Sequence, residues 1–235
     1  MPFYMFYDPT YILIIIGAVI SLIASAKVKS TFNKYQKVRS MSGYTGARVA
    51  EMILHRAGIY DVRVDHVSGH LTDHYDPRNK VLRLSDSVYS SNSVAAIGVA
   101  AHECGHAIQH ARHYVPLTLR SAIVPIVNFG TNISWILIFA GFLFTSSTGY
   151  TLLVLGVIAF STGVAFQLIT LPVEFNASRR ALAILNESGI LVNDENRGAR
   201  KVLSAAALTY VAGAVASILQ LLRLLILIGG RRRDD

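Results

Sequence analysis

Cysteine is nearly absent. Cys104 is the sole one in 235 residues, so no disulfide can form within the chain. Charge is scarce as well: 15% of residues are Asp, Glu, Lys or Arg, against 52% hydrophobic. An ordinary soluble domain carries roughly a quarter charged residues, so this composition excludes that class. Acidic residues are the rarer sign, 14 against 22 basic, for a net charge of +8. The basic excess gathers beside apolar segments, which argues against a nucleic-acid partner. No internal repeat or low-complexity tract is evident.

What the chain has in quantity is long apolar sequence. Four segments reach the length of a bilayer crossing, at about 10–26, 123–144, 150–171 and 205–228. The first is short, and its flanking charges, Lys27 and Lys29, come after it. A cleaved signal peptide carries its positive charge before the apolar core, so this segment reads as an anchor. The second and third are parted by the turn 145–149, which makes them a hairpin. Residues 1–9 and that turn hold no Lys or Arg, whereas Lys27, Lys29, Lys34, Lys37 and Arg39 follow the first segment and Arg179 and Arg180 follow the third. Positive charge stays on the cytoplasmic side, so the amino terminus is expected outside and the polar parts, about 27–119 and 172–204, inside. The fourth segment strains the scheme. It contains Arg223 and would leave Arg231, Arg232 and Arg233 outside, so it either spans with Arg223 snorkelling, the expected arrangement, or lies along the inner surface or re-enters. Asn128 and Asn132 share a face of the second segment and are expected to hydrogen-bond to a neighbouring helix.

In the polar part, Thr45–Arg56 predicts an amphipathic helix with Val49, Met52, Ile53 and Ala57 on one face, ended by Gly58. Val62 and Val64 predict a short strand. The turn sequence Asp76-Pro77-Arg78-Asn79 predicts a hairpin between strands near Leu71–Tyr75 and Lys80–Ser85. The second of these strands is expected to offer an open edge to an extended substrate. His66, His70 and His74 stand four apart, but Gly69 and the turn argue against a helix there, so they are expected to line a cleft or hold loops.

The chemistry concentrates in His102-Glu103-Cys104-Gly105-His106. Small and apolar residues from Ser93 to Gln109 predict a helix capped by Asn92 or Ser93. Residues four apart lie one turn above each other, so both imidazoles face one point, as one zinc ion requires. Glu103 is placed to take a proton from water at that ion. Cys104 reads as a small packed residue. Gln109 and Arg112 stand where the metzincin pattern needs Gly and His, which excludes that class. His110 lies a turn too far along to join the same tetrahedron, and His113 farther. Glu174, in Leu171-Pro-Val-Glu-Phe-Asn-Ala-Ser178, opens a predicted second helix running to about Asn186, with Pro172 in its first turn. It either completes a His, His, Glu set or merely favours a helix amino terminus. His70, His74, Tyr75, Arg179 and Arg180 are candidates to bind substrate or stabilise an oxyanion.

Three stretches together, 71–85 (LTDHYDPRNKVLRLS), 101–110 (AHECGHAIQH) and 171–178 (LPVEFNAS), resemble the bacterial YugP-type membrane zinc metallopeptidases. The resemblance covers nearly the whole chain. It implies a multi-pass protein of the bacterial inner membrane and a gluzincin-like site, with His102, His106 and Glu174 as ligands of one zinc ion and Glu103 as base. The chain is more distantly similar to the HtpX-like and CAAX prenyl membrane proteases. Those carry an Asp four residues after the ligand Glu; here Ser178 stands in its place, so the orienting role falls to Ser178 or Asn176. The expected fold is mainly α: one membrane-embedded unit over 1–235, with about four transmembrane helices and a small cytoplasmic α+β zincin-like domain holding the motif helix. The expected function is endopeptidase cleavage of peptides or membrane proteins near the cytoplasmic membrane surface. The alternative is a metal transporter, sensor or inactive protease-like scaffold.

Overall fold

A computed structural model of the chain describes residues 8–144 and 147–231. The tract before Asp8, the first two residues of the 145–149 turn, and Arg232 and Arg233 lie outside the described residues. In chain order the elements are α1 (Tyr11–Tyr35), α2 (Gly46–Arg56), β1 (Arg63–Val67), β2 (His74–Asp76), β3 (Val81–Ser85), α3 (Val94–Ala111), α4 (Val115–Leu143), α5 (Ser147–Glu187) and α6 (Asp194–Arg231). Four of them, α1, α4, α5 and α6, are long and apolar enough to cross a membrane. The chain divides into two compact units, one of Met1–Ile23, Leu119–Leu171 and Tyr210–Asp235, the other of Ala24–Thr118 and Pro172–Thr209.

The first unit is built from apolar helix. Ile138, Leu153, Val157, Leu224 and Ile228 form its buried cluster. Glycine permits the close packing: a methyl at Gly156 would lie 2.7 Å from Ile138 Cγ1, and one at Gly141 would lie 2.7 Å from Leu153 Cγ. Arg223 does not simply snorkel. Its guanidinium pairs with Asp8 at 2.9 Å and lies 4.3 Å from the centroid of the Tyr11 ring. The expected hydrogen bonds from Asn128 and Asn132 to a neighbouring helix are not made among the described residues; both side chains are exposed. Exposed Phe129, Ile136 and Phe139 lie in the same helix, so the two amides interrupt an otherwise apolar surface.

The second unit holds the polar part. Its core joins Val49, Ala50, Ile53 and Leu54 of α2 to Ile97, Ala100, Ala101 and Cys104 of α3 and to Leu82 and Leu84 of β3. Thr45 caps α2 by accepting from the Arg48 N–H. After Ala57, Gly58 turns left-handed at φ +76°, and the Gly58 and Ile59 N–H groups close the helix on the His55 and Leu54 carbonyls. The sheet order is β1-β3-β2, with β1 parallel and β2 antiparallel to β3. Asp76 shapes the hairpin by accepting from the Arg78 and Asn79 N–H groups. The strand expected at Leu71–Tyr75 shrinks to His74–Asp76. Leu71 is left-handed at φ 58°, and Asp73 is drawn to the Ser85 N–H and hydroxyl instead.

Two expectations are corrected here. β3 has no open edge: it is the central strand, paired on both sides, and Val81, Leu82, Leu84 and Ser85 are buried. Its apolar run reflects cover on both faces rather than an edge. Glu174 does not open a separate helix either. α5 runs unbroken from Ser147, with Pro172 inside it. Proline costs a helix one N–H bond but need not end it when packing on both sides holds the backbone; Thr170 before it and Val173 and Ala177 after it are buried.

Candidate metal centre

The motif lies on α3, whose amino end is fixed by Ser93. That side chain accepts from the Ala96 N–H at 3.2 Å. His102 and His106 project from consecutive turns and meet Glu174 from α5. His102 Nε2 lies 3.2 Å from His106 Nε2 and 3.3 Å from Glu174 Oε2; His106 Nε2 lies 3.4 Å from Glu174 Oε2. Among the described residues these three are the one group of His, Cys, Asp and Glu brought together as a metal site would need. Donors about 2.0–2.1 Å from a tetrahedral zinc stand about 3.3–3.4 Å apart. The observed triangle has that size, so the residues fit the ion. Glu174 is 3% exposed; a buried carboxylate needs a positive partner, which a cation shared with the two imidazoles would supply.

The far nitrogens are held as firmly. His106 Nδ1 lies 3.0 Å from Gln109 Oε1. Gln109 is fully buried, and its Nε2 donates to the Val173 carbonyl at 2.8 Å and to Asn176 Oδ1 at 3.0 Å. A carbonyl only accepts, so Val173 fixes which end of the amide is nitrogen. The oxygen then faces His106 and Nδ1 carries the proton, so in the neutral ring the Nε2 lone pair is left for a metal ion between the imidazoles and Glu174. His102 Nδ1 meets Ser178 Oγ at 3.1 Å. Ser178 thus holds His102, and Asn176 acts through Gln109. Gln109 was not singled out by the sequence; the available signal was an amide three residues after a ligand His on an otherwise apolar helix.

Gly105 explains itself in the same place. A methyl on it would lie 2.6 Å from the Ala177 carbonyl oxygen. Glycine inside a helix costs about 1 kcal/mol relative to alanine. Here it lets the α3 backbone approach α5 midway between Glu174 and Ser178.

Glu103 is buried, at 8% exposure, and no hydrogen bond ties its carboxylate to another described residue. Burial opposes the charged form of His106, but its hydrogen bond to Glu174 and the charges of Glu103 and Glu174 outweigh that and raise its pKa. Burial, with the Glu103 charge, pushes the Cys104 thiol well up, so the packed Cys104 is inert.

The remaining candidates are dispersed. His70 stands edge-on to Phe32, and His66 pairs with Asp86 at 2.6 Å. The exposed His74 meets the Thr72 carbonyl through Nδ1. The Tyr75 hydroxyl lies 2.9 Å from His110 Nδ1. Arg179 is exposed, and Arg180 Nε donates to Asn176 Oδ1 at 2.7 Å. None of His70, His74, Tyr75, Arg179 or Arg180 hydrogen-bonds to His102 or His106.

No solved structure matches the chain. The chain is 52% identical over 213 residues, 90% of its own length and 93% of the relative's, to a Bacillus subtilis protein named "Putative membrane protease YugP". A family model described as "Putative neutral zinc metallopeptidase" matches residues 10–229. A match of that extent shows that the chain belongs to the family described as "Putative neutral zinc metallopeptidase".

Proposed function

We propose that the protein is a zinc-dependent endopeptidase of the bacterial inner membrane that cleaves peptides or membrane proteins at the cytoplasmic surface. The observation that carries this reading is the donor triangle of His102, His106 and Glu174, with Glu103 buried beside it. A zinc ion there acidifies water and polarises a carbonyl. His102, His106 and Glu174 hold it, and Gln109 and Ser178 keep the imidazoles in the ligating orientation. Glu103 accepts a proton as water oxygen bonds to the peptide carbonyl carbon, then delivers it to the leaving nitrogen as the C–N bond breaks. Lys27, Lys29, Lys34, Lys37, Arg39, Arg179 and Arg180 support placing this chemistry on the cytoplasmic side.

An extended substrate would pair with the free edge of β2 rather than with β3. The Tyr75–His110 hydrogen bond ties that strand to the motif helix.

The test is Glu103→Gln in the purified full chain, assayed for bound zinc and for cleavage of a peptide library. Zinc content should stay at the parent level while cleavage falls by about 10²–10⁴-fold. Cleavage at the parent rate would refute the base assignment. Zinc retained with no parent cleavage of any peptide would favour a transporter, sensor or inactive scaffold.

A further inference from the structure

Away from the metal donors, α2, the end of α3 and the last turns of α5 line a half-open cavity of about 290 Å³. Three arginines, Arg56, Arg112 and Arg180, line it, with one carboxylate, Glu187. Glu187 makes no ion pair with any of them. The guanidiniums of Arg56 and Arg112 have no hydrogen-bond or ion-pair partner among the described residues. Arg180 uses Nε on Asn176 and lies 5.8 Å from the Tyr114 ring centroid, which leaves its two terminal nitrogens for a ligand. Apolar side chains, Ile53, Ile108 and Ile184, complete the wall.

Three guanidiniums share this cavity, and two of them, the exposed Arg56 and Arg112, have no partner among the described residues; an anion bound between them would offset their mutual repulsion. Their planar donor forks suit phosphate oxygens. Helix carboxyl ends account for part of the charge, since Arg56 closes α2 and Arg112 follows α3. They do not account for Arg180, which lies within α5. We infer that this cavity binds a phosphate ester group, that of an anionic phospholipid. Ile184, partly exposed beside the nearly covered Ile53 and Ile108, gives the cavity an apolar side that favours an amphiphile over a free ion. The chain also passes from Arg112 to α4, a helix apolar enough to span a membrane, within three residues.

The experiment uses the full chain in a neutral detergent and measures retained lipid by native mass spectrometry. The probes are phosphatidylglycerol, phosphatidylcholine and inorganic phosphate as competitor. Phosphatidylglycerol should be retained over phosphatidylcholine. The double variant Arg56→Gln, Arg112→Gln should lose about tenfold or more in phosphatidylglycerol affinity. Arg56→Lys with Arg112→Lys should recover part of it. Unchanged bound zinc in each variant shows that the fold survives. Weak competition by inorganic phosphate supports the lipid as the source, whereas displacement at matching affinity overturns it in favour of the free ion. Equal retention of phosphatidylglycerol by the parent and the glutamine double variant overturns the site, and leaves the arginines as helix-end charges.

Discussion

Replacing Gln109 separates two tasks that one buried amide performs. Gln109→Leu keeps most of the volume but removes the acceptor for His106 Nδ1 and the donor to Val173 and Asn176. Loss of such a supporting partner typically weakens metal binding by about 10–100-fold, or about 1.4–2.7 kcal/mol. The Val173 carbonyl left behind is buried, whereas Asn176 Oδ1 keeps its bond from Arg180, so about 1–3 kcal/mol of folding stability should go as well. Gln109→Glu divides the effects. A carboxylate accepts more strongly from the Nδ1 proton, so zinc affinity should hold or rise. It cannot donate to the Val173 carbonyl or Asn176 Oδ1, so stability should still fall. Zinc affinity is read by competition with a chromophoric chelator, and stability by thermal unfolding of the zinc-free protein. The reasoning fails if the leucine variant binds zinc as the parent does, or if both variants shift the two readouts in parallel.

Ser178→Ala should weaken zinc binding less than Gln109→Leu in the same chelator competition, because a hydroxyl both donates and accepts and so fixes the His102 tautomer less firmly. Gly105→Ala should destabilise the protein by about 1–3 kcal/mol through overpacking against the Ala177 carbonyl; its zinc affinity should drop too, since the methyl drives α3 and α5 apart, and chelator competition with thermal unfolding reads both. Burial, aided by the charges of Asp61 and Asp76, raises the Tyr75 phenol to about 12 from an ordinary 10. An acid with a raised pKa lends stability fully present below pH 10 and lost as pH climbs from 10 to about 12; the ultraviolet titration difference between the parent and Tyr75→Phe should therefore centre near 12, and a midpoint at 10 would contradict it.

Much of the centre was legible because a helix repeats. Two histidines four apart must share a face, and Ser93 was a visible cap, so the geometry of the α3 half follows from local rules. The α5 half did not follow from such rules. Pro172 invites a helix start, yet the helix passes through it, because tertiary contacts at Val173 and Ala177 override the local preference. The order of the strands was likewise invisible: β1 and β3 pair in parallel across a connection that contains β2, and no periodicity in either strand encodes which neighbour it takes. Misreading β3 as an edge came from attending to the hairpin alone. Its almost unbroken burial was already present in Val81-Leu82-Arg83-Leu84, where three apolar residues fall on both faces.

The deeper illegibility concerns the partners of the ligands. His102, His106 and Glu174 are residue types whose chemistry announces itself. Gln109, Ala177 and Gly105 are not, and yet they set the distance and rotation at which the donors meet. Gly105 admits α5, Ala177 supplies the surface it admits, and Gln109 reaches past both to hold the imidazole and the α5 backbone in one network. A centre built this way tolerates little change in the spacing of two helices, because a tetrahedral ion allows its donors only a few tenths of an ångström. If His102, His106 and Glu174 hold zinc as proposed, the residues between and behind them therefore set the geometry on which that binding depends.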